Sequence, residues 1–80
     1  MSITPGQCKA ARELLGWTLL DLGYRARISD STVMRFEAAR LPIRPEKAQA
    51  MRTVLESAGV EFIAENGGGA GVRLKKANRQ

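Results

Sequence analysis

Five arginines lie between positions 25 and 44 of this 80-residue chain, and the acidic residues among them are Asp30 and Glu37. Serine, threonine and methionine side chains lie in the same segment. A guanidinium group binds phosphate through paired hydrogen bonds, and side chains on a helix can reach base edges in the major groove of DNA. The net charge of +5 and the pI near 10.2 also favour an anionic partner. The segment therefore predicts a surface that contacts nucleic acid.

The residues of this surface fall into two predicted roles. Outward-facing residues of a helix at 29–38 would read bases, and the surrounding arginines would hold phosphates. The simpler alternative is that these arginines are ordinary solvated side chains. The residues assigned to phosphates are Arg25, Arg27, Arg40 and Arg44, and those assigned to bases are Ser31, Thr32, Met34 and Arg35. The complete candidate set adds Thr18, Ser29 and Asp30.

Catalytic and metal-binding chemistry finds little support in the sequence. The chain has no histidine and one cysteine, Cys8, which rules out an internal disulfide and almost every zinc or haem site. Cys8 is expected to be a buried apolar residue rather than a reactive thiol. The glycine-rich run at 65–71 is not followed by the helix start of a phosphate-binding loop. We expect neither an enzyme nor a cofactor.

The hydropathy pattern gives no candidate for a membrane-spanning segment. The longest apolar runs are a few residues long, and the start lacks the layout of a signal peptide. We therefore expect a cytoplasmic protein with no membrane partner.

Three helix starts can be recognised from their capping residues. Thr4 is followed by Pro5 and by Gln7 at the capping-box position, which predicts a first helix. Thr18 with Asp21 starts a second helix, and Ser29 starts a third, whose buried residues would be Val33 and Phe36. Gly23 in the second helix indicates that a neighbouring helix approaches closely. Two helices joined by a tight polar segment form a helix-turn-helix pattern.

A fourth helix and two strands follow. Pro45 begins an amphipathic helix whose core face is predicted to include Met51, Leu55 and Ala58, and Gly59 ends it. Beyond Gly59 the apolar residues alternate in two short segments, which predicts a β-hairpin in which Glu61 faces Arg73 or Lys75. The fold class is therefore mainly α, with four helices and a short C-terminal two-stranded hairpin. One domain is expected, with a helix-turn-helix part at 3–59 and a hairpin extension at 60–76.

Residues 7–17, the helix-turn-helix segment 18–37 and the later Gly59-Val60-Glu61-Phe62 together resemble the XRE family of bacterial and phage regulators, which has the lambda-repressor-like DNA-binding fold. The resemblance covers nearly the whole chain. It implies that Arg12 and Glu37 form an ion pair between the first and third helices, and that 29–35 is the recognition surface. Arg12 and Glu37 could equally be independent surface charges.

Three residues depart from the pattern of that family. Leu19 stands where a glutamine usually contacts a phosphate, and Arg27 stands where the turn usually has glycine. Asp30 occupies a position that is often basic, where a carboxylate can accept a hydrogen bond from cytosine.

Two functions are consistent with these observations. The first is a sequence-specific transcriptional regulator that binds double-stranded DNA as a homodimer, with the helix at 29–38 in the major groove. The alternative is a protein-interaction module, antitoxin-like or an adaptor, that uses exposed Leu19, Leu20 and Tyr24. The second subunit would dock on the hairpin edge or on the fourth helix.

Overall fold

The computed structural model describes residues 3–40, 42–64 and 71–75. The described residues form four helices and a two-stranded antiparallel sheet, which confirms the predicted mainly α fold. The elements are α1 (Pro5–Leu14), α2 (Leu19–Ala26), α3 (Asp30–Glu37), α4 (Pro45–Ser57), β1 (Val60–Ile63) and β2 (Gly71–Leu74).

The first three helices begin at the predicted capping residues. The Thr4 hydroxyl accepts a hydrogen bond from the Gln7 amide at 3.0 Å, and the Gln7 side chain accepts one from the Thr4 amide at 2.9 Å. Thr18 and Asp21 form the same reciprocal pair at 3.0 and 2.9 Å. The Ser29 hydroxyl accepts from the Thr32 amide at 3.2 Å. These bonds satisfy amide groups that a helix leaves unpaired at its start.

The core lies between the four helices and the hairpin. Cys8 is fully buried, as expected, and Met51 and Leu55 of α4 lie in the same cluster. The prediction that Ala58 lies on the core face is wrong: α4 ends at Ser57, and Ala58 is an exposed capping residue. The cluster consists of Ile3, Cys8, Ala11, Leu22, Ala26, Val33, Phe36, Met51, Leu55 and Val60.

Gly23 lies where α2 meets the start of α3. A Cβ atom at Gly23 would lie 2.5 Å from the carbonyl oxygen of Ile28 and 3.3 Å from the amide nitrogen of Asp30. The predicted close approach is therefore confirmed, but the approaching atoms belong to the turn and to the first residue of α3. This contact fixes the position of α3 relative to α2.

The predicted hairpin is confirmed, and it packs against α1 and α4. Glu61 pairs with Arg73 in the strand register, and their side chains form an ion pair at 2.8 Å. The buried Gln7 side chain donates hydrogen bonds to the carbonyl oxygens of Ile63 at 3.2 Å and Gly71 at 3.1 Å. Residues 65–70 and 76, which the sequence assigned to the hairpin region, lie outside the described residues.

Candidate nucleic-acid interface

The joint between α2 and α3 consists of three residues. Arg27 has φ 60° and ψ 45°, so the chain turns through the left-handed region immediately after Ala26. The Ile28 amide then donates to the carbonyl oxygen of Gly23 at 2.8 Å, and the half-buried Ile28 side chain packs against the core. Ser29 caps α3. The joint therefore holds α3 at a fixed angle to α2.

One side of α3 is buried and the other is exposed. Val33 and Phe36 point into the core, whereas Ser31, Arg35 and Met34, which is 50% exposed, face outward as predicted. Thr32 is only partly exposed, and its hydroxyl lies 2.7 Å from that of Ser29. The expectation that Thr32 faces outward is therefore only partly correct, because its side chain belongs to the cap of α3.

The outward side of α3 continues into a groove of about 240 Å³ between α3 and the start of α4. The groove brings together two predicted cations, Arg35 and Arg44, and adds Lys47, which the sequence analysis missed. Lys47 is one helical turn beyond Arg44, so its i, i+3 relation to a candidate residue was the signal that could have found it. The remaining lining residues are Thr32, Phe36, Pro42 and Ile43.

A second depression lies along the joint itself and contains Tyr24, Arg25, Arg27 and Ser29. The Arg25 guanidinium lies over the Trp17 ring, 4.4 Å from its centroid. This cation–π contact holds Arg25 against its own protein surface. Arg27 has no comparable contact with another described residue and is the more available cation here.

Five candidate residues line neither depression: Asp30, Ser31 and Met34 are exposed residues of α3, and the other two are Thr18 and Arg40. Thr18 is exposed at the start of α2, where its hydroxyl caps the helix. Arg40 follows the end of α3 and shares a shallow depression with Pro5 and Ala39. The structure therefore groups Arg25, Arg27 and Ser29 in one depression and Thr32, Arg35 and Arg44 in the other. It leaves Thr18 and Arg40 outside both.

The ion pair between Arg12 and Glu37 is confirmed. Two guanidinium nitrogens of Arg12 donate to the two carboxylate oxygens of Glu37, each at 2.9 Å, and a third donates to the carbonyl oxygen of Trp17 at 2.9 Å. Only 13% and 7% of the two side chains are exposed, so the alternative of independent surface charges is wrong. Hydrogen bonding to Glu37 raises the pKa of Arg12. The pair ties α1 to α3 and keeps the Glu37 carboxylate away from the exposed side of α3.

Cys8 lies beside this pair, with its sulfur 3.5 Å from the Glu37 carboxylate. Burial, followed by the negative charge of Glu37, raises the pKa of the Cys8 thiol far above its usual value. The thiol is therefore held in its neutral form. In residues 3–40, 42–64 and 71–75, no three cysteine or acidic side chains come together as a possible metal site.

No described helix has both the length and the apolar character needed to span a bilayer. Neither the models of known protein families nor the curated proteins compared with this sequence gave a match.

Proposed function

We propose that this chain is a sequence-specific DNA-binding transcriptional regulator that places α3 in the major groove of double-stranded DNA. The observation that carries the proposal is the exposed side of α3 together with two basic depressions, one lined by the α2–α3 joint and one lined by α3 and the start of α4. The major groove, about 12 Å wide, admits one α-helix, and the phosphates on each side of the groove then face the cations that flank that helix.

The two basic depressions supply different parts of the phosphate contact. Arg27 would neutralise a phosphate at the α2–α3 joint, and Arg44 with Lys47 would neutralise phosphates at the groove between α3 and the start of α4. Phosphate contacts of this kind fix orientation and register, while sequence is read from α3. The resemblance to the XRE family supports the same arrangement, and the proposal includes that the protein acts in the cytoplasm of a bacterium.

A homodimer completes the proposed regulator. An α3 of eight residues contacts only a few base pairs, whereas two copies about 34 Å apart would read two half-sites on one face of the duplex. We place the dimer contact at the hairpin edge, where Leu74 is 48% exposed. Strand edges present unpaired backbone groups to which a second copy can add a strand.

The test is selection of bound duplexes from a randomised pool, followed by a salt titration of binding to the selected sequence. We expect an inverted repeat with half-sites one helical turn apart. Lys47→Ala should reduce the salt slope by about one for each subunit, whereas the replacement Lys9→Ala, at an exposed position of α1, should leave it unchanged. Equal binding to all duplexes, abolished by salt and equally sensitive to both variants, would contradict the proposal.

The exposed face of α2 favours a second candidate, a protein-interaction module. Leu20 is 65% and Tyr24 is 84% exposed, and they lie one turn apart on α2. The expectation that Leu19 joins them is not met, because Leu19 is half-buried and packs against the core. If this face alone were functional, Tyr24→Ser would abolish partner binding and changes in α3 would have no effect.

A further inference from the structure

Asp30 and Met34 lie one turn apart on α3, and both are exposed. We propose that they set the base preference of the protein: the Asp30 carboxylate accepts a hydrogen bond from the amino group of a cytosine, and the Met34 side chain packs against the methyl group of a thymine in the neighbouring base pair. This inference rests on the proposed DNA-binding function and assigns the chemistry that the site recognises.

The availability of the Asp30 carboxylate is the first observation. α3 carries two acidic residues, and the carboxylate of the other, Glu37, is held by Arg12. Asp30 forms no hydrogen bond or ion pair through its side chain with any other described residue. Its backbone nevertheless packs closely against α2 at Gly23. A Cβ atom added to Gly23 would lie 3.3 Å from the Asp30 amide nitrogen. A free acceptor therefore projects from a well-positioned point.

Base chemistry selects cytosine for this acceptor. In the major groove, guanine presents only acceptors, and thymine presents an acceptor and a methyl group. Adenine places the acceptor N7 beside its amino group, where it repels a carboxylate, while cytosine presents its amino donor alone. Phosphates also repel Asp30, so binding at sites without a correctly placed donor is penalised. Asp30 therefore increases the discrimination between DNA sequences more than it increases the affinity for DNA.

Met34 supplies the complementary apolar contact. It is 50% exposed on the side of α3 that also carries Ser31 and Arg35, both polar. The thymine methyl group is the apolar group that bases present in the major groove. Burial of one such group is worth about 0.8 kcal/mol, which corresponds to about a fourfold change in affinity.

The spacing of the two side chains places the contacts on neighbouring base pairs. Residues four apart on a helix have Cβ atoms about 5–6 Å apart, and successive base pairs are about 3.4 Å apart. Both side chains are long enough to bridge the difference between the Cβ spacing on the helix and the spacing of the base pairs. The predicted half-site therefore contains a cytosine and a thymine in adjacent base pairs, on the same strand or on opposite strands.

The first arm of the test changes the protein. Duplexes are selected from a randomised pool with the wild type, with Asp30→Asn and with Glu13→Gln, which removes one negative charge from an exposed position of α1. Asp30→Asn should replace cytosine by adenine at one position, because an amide can bind the adenine N7 and amino group together. Glu13→Gln should retain the cytosine. Retention of cytosine by both variants would overturn the role of Asp30.

The second arm changes the DNA and leaves the wild-type protein intact. Each thymine of the selected duplex is replaced in turn by deoxyuridine, which lacks only the methyl group. One replacement, next to the cytosine position, should lower wild-type affinity about fourfold but leave Met34→Ala unaffected; Leu20→Ala should behave as the wild type. Absence of any effect, or the same effect in Met34→Ala, would overturn the role of Met34. No selected sequence at all would refute the proposed function itself, and this inference with it.

Discussion

Arg27 shows how one residue links the stability of the joint to its proposed chemistry. Its φ of 60° lies in the left-handed region, which costs a residue with a Cβ atom about 1 kcal/mol or more. Glycine adopts this conformation without that cost. The side chain, however, places a cation in the depression beside the first turn of α3. The chain therefore carries a locally strained residue where a charge is useful for binding phosphate.

Arg27→Gly should raise the free energy of unfolding by about 1 kcal/mol and weaken DNA binding at low salt. Ala39, with φ 56°, should respond similarly to replacement by glycine, whereas Ala10→Gly within α1 should destabilise the protein by about 1 kcal/mol. Thermal and chemical unfolding would measure the free energy of unfolding of all three variants. A loss of stability in Arg27→Gly equal to that in Ala10→Gly would contradict the assignment of strain to the turn.

At the scale of elements, α1 holds the other parts of the molecule in place. Its Arg12 binds Glu37 of α3, and its Gln7 donates to the last carbonyl of β1 and the first of β2. Gln7 therefore has two roles, because the same side chain also completes the cap of α1. The capping role could be predicted, since it follows from local spacing. The second role joins residues 56 and 64 positions apart and depends on packing that no local rule supplies.

Gln7→Glu separates these two roles. The carboxylate retains the acceptor that caps α1 but loses the donor, and it places a buried negative charge beside two carbonyl oxygens. We expect the free energy of unfolding to fall by about 2 kcal/mol or more at neutral pH, as measured by chemical unfolding. The exposed Gln49→Glu on α4 is the matched control and should change stability little.

The pH dependence of Gln7→Glu gives a further check on that prediction. Burial should raise the pKa of the introduced carboxyl group above its value in the unfolded chain, so the folded state binds the proton more tightly. The loss should therefore grow as pH rises from the ordinary carboxyl pKa towards the raised one, and shrink as pH falls. A pH-independent loss, or no loss at all, would contradict the hydrogen-bonding role of Gln7.

At the scale of the whole molecule, the sequence predicted the elements better than the site. Capping residues and apolar spacing act over one turn or one strand, so four helices and a hairpin could be predicted. The partner of Glu61 was narrowed to Arg73 or Lys75, and the strand register selects Arg73. The groove that adds Lys47 to Arg35 is lined by α3, the segment 42–44 and the start of α4, and no local pattern encodes how these three parts come together. The same reason explains Leu19, whose half-buried position depends on the surrounding core.

The proposed dimer also belongs to this scale. Leu74→Lys, at the exposed hairpin edge, should shift the protein from dimer to monomer and weaken binding to a two-half-site duplex more than to a single half-site. Leu14→Lys is a control of similar exposure, 44% against 48%, on α1. Light scattering would measure the mass in solution of the wild type and of both variants. An unchanged mass for Leu74→Lys would remove the hairpin edge from the dimer.

The most direct test of the central claim is a map of amide chemical-shift changes in the isotope-labelled protein as the selected duplex is added. We expect the largest changes at 29–35 and at Arg44 and Lys47. Changes centred on Leu20 and Tyr24, or spread evenly over all cations including Lys9 and Lys75, would contradict the placement of α3 in the major groove.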